Sequence, residues 1–290
     1  MTIAPAPVPV LTGDVWRARA AAHENRARAL TQGRRERAAH GETHPVEDFL
    51  FTYYSYKPSV LHRWHPGEGL ELTDAAADAR AGWRWYRAGT ASGSLAVDGD
   101  GFRAERGALI ANVSRILRAT ADRAPGFGCF GLHEWAMVYR QQEHRHPVPL
   151  RLGQHATDAV VEAAELRCTH FDAFRFFTPE AAPRNRETPT RERQAALEQP
   201  GCLHAGMDLY KWAVKLGPLV PGELLLDAFE LARDIRVLDM RASPYDLAEW
   251  GYDAVPIETA EGKAEYVRAQ RTFADRGTAV RRRLIDVAAA

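Results

Sequence analysis

The chain is poor in several things, and each shortage excludes a class of protein. No apolar run in its 290 residues approaches the roughly 18 that a membrane span requires. The opening MTIAPAPVPV carries three prolines and lacks a basic stretch ahead of an apolar core, so neither membrane insertion nor Sec-type export is expected. Cysteine is scarce: Cys129, Cys168 and Cys202 are odd in number, far apart and outside any CxxC arrangement. That pattern argues against a disulfide framework or a thiolate zinc site and for a reduced, cytoplasmic protein. Net charge is also missing, because 38 basic residues meet 38 acidic ones, which removes the strongly basic balance of a dedicated nucleic-acid binder. Lysine is nearly absent, 4 against 34 arginines. The uniform Arg and Ala richness reads as the signature of a GC-rich genome.

What remains is an ordinary globular composition, 46% hydrophobic and 26% charged, compatible with one large core. Residues 1–11 read as a Pro-rich disordered arm. Residues 12–40 read as a basic helix carrying Arg17, Arg19, Arg26, Arg28, Arg34, Arg35 and Arg37, docked through Val15, Trp16 and Leu30. Residues 41–290 read as a single catalytic domain. Within it, 44–67 concentrates Phe49, Phe51, Tyr53, Tyr54, Tyr56 and Trp64 with His62 and His65, a density that must be buried or line a pocket. Gly-, Ser- and Asp-rich punctuation over 83–105 predicts short strands and hairpins. Apolar stripes predict helices over 109–120, 132–143, 202–216 and 223–242, a short capped one after Ser243-Pro244, and a last one from Thr259 to the C-terminus. LRCTHFDAFRFF (166–177) alternates aromatic and polar residues and predicts a strand. The expected fold is therefore a mostly helical α+β single domain with a small antiparallel sheet.

Chemistry-bearing residues fall into few segments. Gly126, Gly128 and Gly131 have GxGxxG spacing but lack the preceding strand and following acid of a dinucleotide fingerprint, so they read as a packing loop. His133-Glu134 opens the next helix, and Met137 rules out HExxH. Buried on several sides, Glu134 would serve as a general acid or base. On a strand, Cys168, His170, Asp172 and Phe174 share one face. His204 and Asp208 stand one helical turn apart. Asp227, Glu230 and Asp234 line one edge of the 223–242 helix and require cations from elsewhere in the chain or from a metal. Asp246 has a local role as a capping residue after Ser243 and Pro244.

The segments HPVEDFLFTYYSYKPSVLHRWHPG, FGCFGLHEWAMVYR, HFDAFRFFTPEA, QPGCLHAGMDLYKWA and ELARDIRVLDMRASPYDL resemble an actinobacterial family commonly labelled 3-methyladenine DNA glycosylase. The resemblance runs from about residue 44 to the C-terminus, without a helix-hairpin-helix motif. It implies hydrolysis of the N-glycosidic bond of alkylated bases, with alkylated DNA as partner. Such an enzyme needs carboxylates, for which Glu134, Asp172, Asp208 and Asp234 are the candidates. It also needs aromatic rings to hold a base, for which Trp135, Tyr139, Phe174 and Tyr210 are the candidates. The residues alone support an alternative, a metal-dependent enzyme acting on a small molecule. In it His133, His170 and His204, with Glu134, Asp172, Asp208 and Asp234, would hold a divalent Zn, Fe or Mn ion. A third reading is a non-catalytic binding protein whose His-Asp pairs satisfy a buried network. The enzyme readings require His170, Asp172, His204 and Asp208 to meet in one aromatic-lined pocket, with Glu134 or Asp234 in reach.

Overall fold

The computed structural model describes residues 8–144 and 147–290. Among these residues ten α-helices carry the architecture: α1 (Gly13–Ala39), α2 (Phe49–Tyr53), α3 (Gly99–Ala121), α4 (Leu132–Ala136), α5 (Gly153–Ala163), α6 (Phe171–Phe174), α7 (Gln194–Leu197), α8 (Leu203–Leu216), α9 (Gly222–Arg241) and α10 (Ala260–Ala289). Four short strands, β1 (Val10–Leu11), β2 (Glu71–Leu72), β3 (Tyr86–Ala88) and β4 (Leu95–Val97), form one sheet in the order β1-β2-β4-β3. The mostly helical α+β single-domain class is thus observed. The sheet is mixed, because β1 pairs parallel to β2 while the other ladders are antiparallel. Among the described residues no helix is long and apolar enough to cross a membrane.

The core forms where long apolar stripes meet. Most of α8 is buried, and α9 and α10 pack along it while α3 packs on α10 and touches α8. The α8–α9 approach is close because residue 206 is glycine: a Cβ there would lie 2.7 Å from Ile235 Cδ1. α3 buries Ile110, Val113, Ile116 and Leu117, and Asp98 caps it by accepting the Gly101 N–H. Thr259 caps α10 in the same way through Gly262. The basic α1 lies against α9. Arg26 meets Asp227 at 2.9 Å and Glu230 at 2.7 Å, and Arg19 meets Glu223 at 2.9 Å. The acidic edge of α9 therefore takes its cations from α1 and α10, where Arg283 pairs with Asp227.

Four local expectations need correction. Residues 1–7 lie outside the described residues, but Val10 and Leu11 are docked, since Pro9 and Leu11 carbonyls accept the Glu71 and Thr73 N–H groups at 3.0 Å. The 166–177 segment is not a strand. Its aromatics sit on a tight turn and the single-turn α6, and Phe174 packs on Phe177 with ring centroids 5.0 Å apart. The 132–143 helix stops at Ala136, and Arg140 adopts a left-handed φ of 55° that no helix continues through. After Ser243-Pro244 there is only a 3-10 turn, Ala248–Trp250, ended by left-handed Gly251. Asp246 accepts the Ala248 N–H beside it.

Candidate metal centre

α4 owes its position to a backbone reversal. Phe130 (φ 51°) and Gly131 (φ 73°) are both left-handed, and the helix starts immediately after them. The Gly126–Gly131 loop is held from the side by Gln199, which accepts the Gly126 and Gly201 N–H groups at 2.7 Å. The reversal points His133 and Glu134 into the core, 3% and 4% exposed. α8 brings His204 and Asp208 to the same region, α9 brings Asp239, and the turns ahead of α6 and after α7 bring His170 and Glu198.

The three histidines converge. The rings of His133 and His204 meet edge to face with centroids 4.4 Å apart, and those of His204 and His170 stack at 5.3 Å. Two groups of ligand type result. In the first, the ligand atoms of His133, His204 and Asp239 all lie within 4.8 Å of one another; in the second, the same is true of His170, Glu198 and Asp208. All six residues are buried.

The two groups are held by different partners, and each leaves a buried histidine nitrogen without a hydrogen bond among the described residues, His170 Nδ1 in the second and His133 Nε2 in the first. In the second, Asp208 receives hydrogen bonds from Tyr54 Oη at 2.7 Å and from Lys211 Nζ. His170 Nε2 lies 3.3 Å from both Asp208 Oδ2 and Glu198 Oε1, and Gln194 donates to Glu198 at 2.6 Å. Burial pushes the Asp208 carboxyl up, but Lys211 and His170 overcome it and hold the group below the usual carboxylate range. Burial raises Glu198, with His170 opposing. Lys211 resists its own burial, held charged by Asp208 and by Asp172 at 3.5 Å. This cluster carries its own cations.

The first group is held differently. His133 Nε2 and Asp239 Oδ1 form a buried ion pair at 2.9 Å, and among the described residues neither atom has a further hydrogen-bond partner. Cys129 Sγ sits 3.5 Å from His133 Nδ1, leaving Nε2 as the atom turned toward Asp239. The other Asp239 oxygen accepts from Arg236 at 3.0 Å, and the same guanidinium nitrogen reaches Glu134 at 2.8 Å. Burial opposes charge on His133, but Asp239 outweighs it and raises the ring well above its ordinary pKa. Burial and the charge on His133 push His204 far down, so His204 is neutral and keeps a lone pair to donate. A cavity of about 10 Å³, room for one water-sized body, opens beside His133 and His204 and is lined by all three cysteines.

The remaining sequence candidates divide. Asp172 is drawn to the second cluster through Lys211 and also meets Arg175 at 3.2 Å. Glu134 is buried on Arg236, next to the first group. Asp234 is on the outer side of α9, between Arg233 and Arg276. The four aromatics do not enclose one pocket. Trp135 is fully buried and donates to the Ala242 carbonyl, Tyr139 donates to Glu162, and Phe174 leans on Phe177. Tyr210 lies among Tyr54, Tyr56 and Phe229. Asp239 and Glu198 are the site residues that sequence reasoning passed over. Asp239 had a signal, an acid set between Leu238 and Met240 in an otherwise apolar stretch; Glu198, beside a Pro-Gly turn, had none. The cysteines, far apart in sequence, meet at one cavity. Comparison with protein-family models, curated proteins and solved structures gives no match.

Proposed function

We propose that the chain is a metal-dependent enzyme whose ion is held by His133, His204 and Asp239. The observation that carries this reading is that the ligand atoms of buried His133, His204 and Asp239 all lie within 4.8 Å of one another, with His204 neutral; an ion bound there would take the place of the proton that Asp239 favours on His133. Two imidazoles and one carboxylate form a donor set suited to Fe(II), Zn(II) or Mn(II), and such a triad leaves coordination positions open for a reactant. A bound ion of this kind supplies Lewis acidity and activates water. The chain's own part is to orient the donors: Cys129 holds the His133 ring at its Nδ1 edge, and Arg236 fixes the Asp239 carboxylate. The adjoining Asp208–Lys211–Tyr54 group offers proton-carrying side chains a helical turn from His204. The small cavity, lined by His133 and His204 but not by Asp239, has room for a body of about water size, so a larger substrate would have to react at its rim.

The test is cobalt(II) titration of metal-stripped protein, followed by visible absorption. One equivalent with His- and carboxylate-type bands is expected, and His204→Ala or Asp239→Asn should weaken binding by at least about tenfold, the usual cost of losing a ligand or its support. Saturable binding unchanged in both variants would sink the assignment.

A second reading follows the family resemblance, glycosidic hydrolysis of alkylated DNA, and one observation favours it. Asp172, 15% exposed, stands beside Lys211 as an accessible carboxylate within the Tyr53–Tyr56 aromatic group. Against it, Arg26, Arg34 and Arg37 of α1 are engaged with α9 and with Asp48. Release of 3-methyladenine from methylated duplex DNA, lost in Asp172→Asn, would establish this reading; the absence of both release and DNA binding at low salt would end it.

A further inference from the structure

A second cleft has no part in the buried triad. It has a volume of about 740 Å³, within the range of small-molecule sites, and lies where the approach to β3, the start of α3 and the end of α8 face one another. Trp83, Trp85 and Tyr86 form one apolar wall, each half-buried. Phe102 and His65, which also line the cleft, hold two of these rings: Phe102 meets Trp85 edge-on at 5.2 Å, and His65 Nδ1 lies 3.0 Å from the Tyr86 hydroxyl.

The charged lining is of one sign. Arg63, Arg84, Arg106 and Lys215 border the cleft, and no carboxylate does. Glu105, exposed, is shared by Arg84 at 2.5 Å and Arg106 at 3.4 Å. Arg63 and Lys215 have no carboxylate partner among the described residues. Two of these cations lie over the rings they would share with a ligand: Arg84 stands 4.5 Å from the Trp85 ring and Arg63 5.9 Å from that of Trp83. The field leaves its mark on His65, whose pKa burial, Arg80 and Arg63 lower to about 3. In a chain whose charges balance overall, four cations around one aromatic cleft form a local electrostatic site.

We propose that this cleft binds a planar aromatic molecule carrying a phosphate, its ring against Trp83 and Trp85 and its phosphate among Arg63, Arg106 and Lys215. Trp faces give stacking area, and guanidinium forks match phosphate oxygens two at a time. A phosphate carries the double negative charge that four clustered cations with one shared carboxylate can balance. The proposal does not depend on the metal reading. The cleft does adjoin that region, because Tyr56 lines it and packs against Tyr210 at 5.8 Å.

The experiment is calorimetric titration of the full chain with AMP and with flavin mononucleotide, each beside its parts: adenosine, riboflavin and inorganic phosphate. At least one of the two phosphate esters should bind about tenfold more tightly than either of its parts, and binding should quench tryptophan emission. Arg63→Gln and Lys215→Gln change exposed side chains and leave the fold intact; each should weaken binding about five- to tenfold, and Trp83→Leu should abolish most of the quenching. Dephosphorylated ligands that bind as tightly as the esters would overturn the role of the cations. Inorganic phosphate binding as tightly as the esters would overturn the role of the rings. Failure of both esters to bind at millimolar concentration, or binding unchanged in the Arg63→Gln/Lys215→Gln double variant, would overturn the site itself.

Discussion

Arg236 is the buried cation on which the interior of α9 depends, and its removal has a calculable cost. One of its nitrogens joins Glu134 at 2.8 Å to Asp239 at 3.0 Å, and its guanidinium lies 3.7 Å from the Phe49 ring centroid. The residue is 1% exposed, and both carboxylates are buried with it. Arg236→Met keeps the packing on Phe49 but leaves two carboxylates without their cation, and breaking a buried pair from one side costs about 3–5 kcal/mol. At about 2 cal/mol/K of unfolding entropy per residue, a chain of 290 residues loses about 0.6 kcal/mol per degree, so the expected drop in Tm is about 5–8 °C. Two atoms of Arg236, Nε and Nη2, have no partner, so the intact network is itself costly. Removing Glu134's charge together with the arginine should therefore recover part of the loss. In urea unfolding, Arg236→Met/Glu134→Gln should be at least about 1.5 kcal/mol more stable than the sum of the single variants predicts, the size of coupling expected for residues in one network. A single-variant loss below about 1 kcal/mol, or strict additivity, would refute the reasoning.

Three further outcomes follow from the fold. Glu71 accepts N–H bonds from Thr90 at 2.8 Å and Ala91 at 3.4 Å and an O–H bond from Ser94, and these lower its pKa from 4.5 to about 2. A depressed folded-state pKa gives stability that is complete above about pH 5 and lost as pH falls from about 4.5 toward 2. The stability gap between wild type and Glu71→Gln should accordingly shrink over that interval in urea titrations at stepped pH, and a constant gap would contradict the assignment. Deleting residues 1–11 removes the β1 ladder and the Leu11 contact with the Trp16–Trp64–Leu72 cluster, and should lower Tm by about 2–5 °C, the effect of about 1–3 kcal/mol lost hydrogen bonding and burial. An unchanged Tm by calorimetry would show that β1 contributes nothing. Tyr210→Phe removes a buried hydroxyl that has no partner, so its urea midpoint should hold or rise, by up to about 1 kcal/mol of stability, and a clear loss would reveal a hidden partner.

The sequence made the long helices legible because each carries one periodic stripe: α3, α8, α9 and α10 lie where Leu, Ile and Val recur at helical spacing. It misled at 166–177 because alternation is read as a strand whenever it is short. There the alternating Phe residues serve a turn whose rings pack on each other and on neighbouring loops. The His204/Asp208 pair was readable from its one-turn spacing, and its meeting with His133 and His170 was an expectation that only the tertiary fold addresses. Asp239 is hard to find in the sequence because the acids that form a visible row lie on the outer edge of α9 and pair with arginines of α1 and α10. The acid among the apolar residues of the same helix is the one that enters the centre. The aromatic segment 44–67 was read as core or pocket, and it is both: Leu61 and Trp64 are buried, while Tyr56 and His65 face the cationic cleft.

The central claim, that His133, His204 and Asp239 hold an ion, is tested most directly by elemental analysis of protein purified without chelator or affinity metal from cells grown with iron, zinc and manganese supplied. Wild type should retain about one equivalent of a single transition metal through gel filtration, and Asp239→Ala, folded by circular dichroism, should retain none. Wild-type protein free of metal that also fails to take up any of the three ions on reconstitution, or an Asp239→Ala variant with undiminished content, would contradict the account.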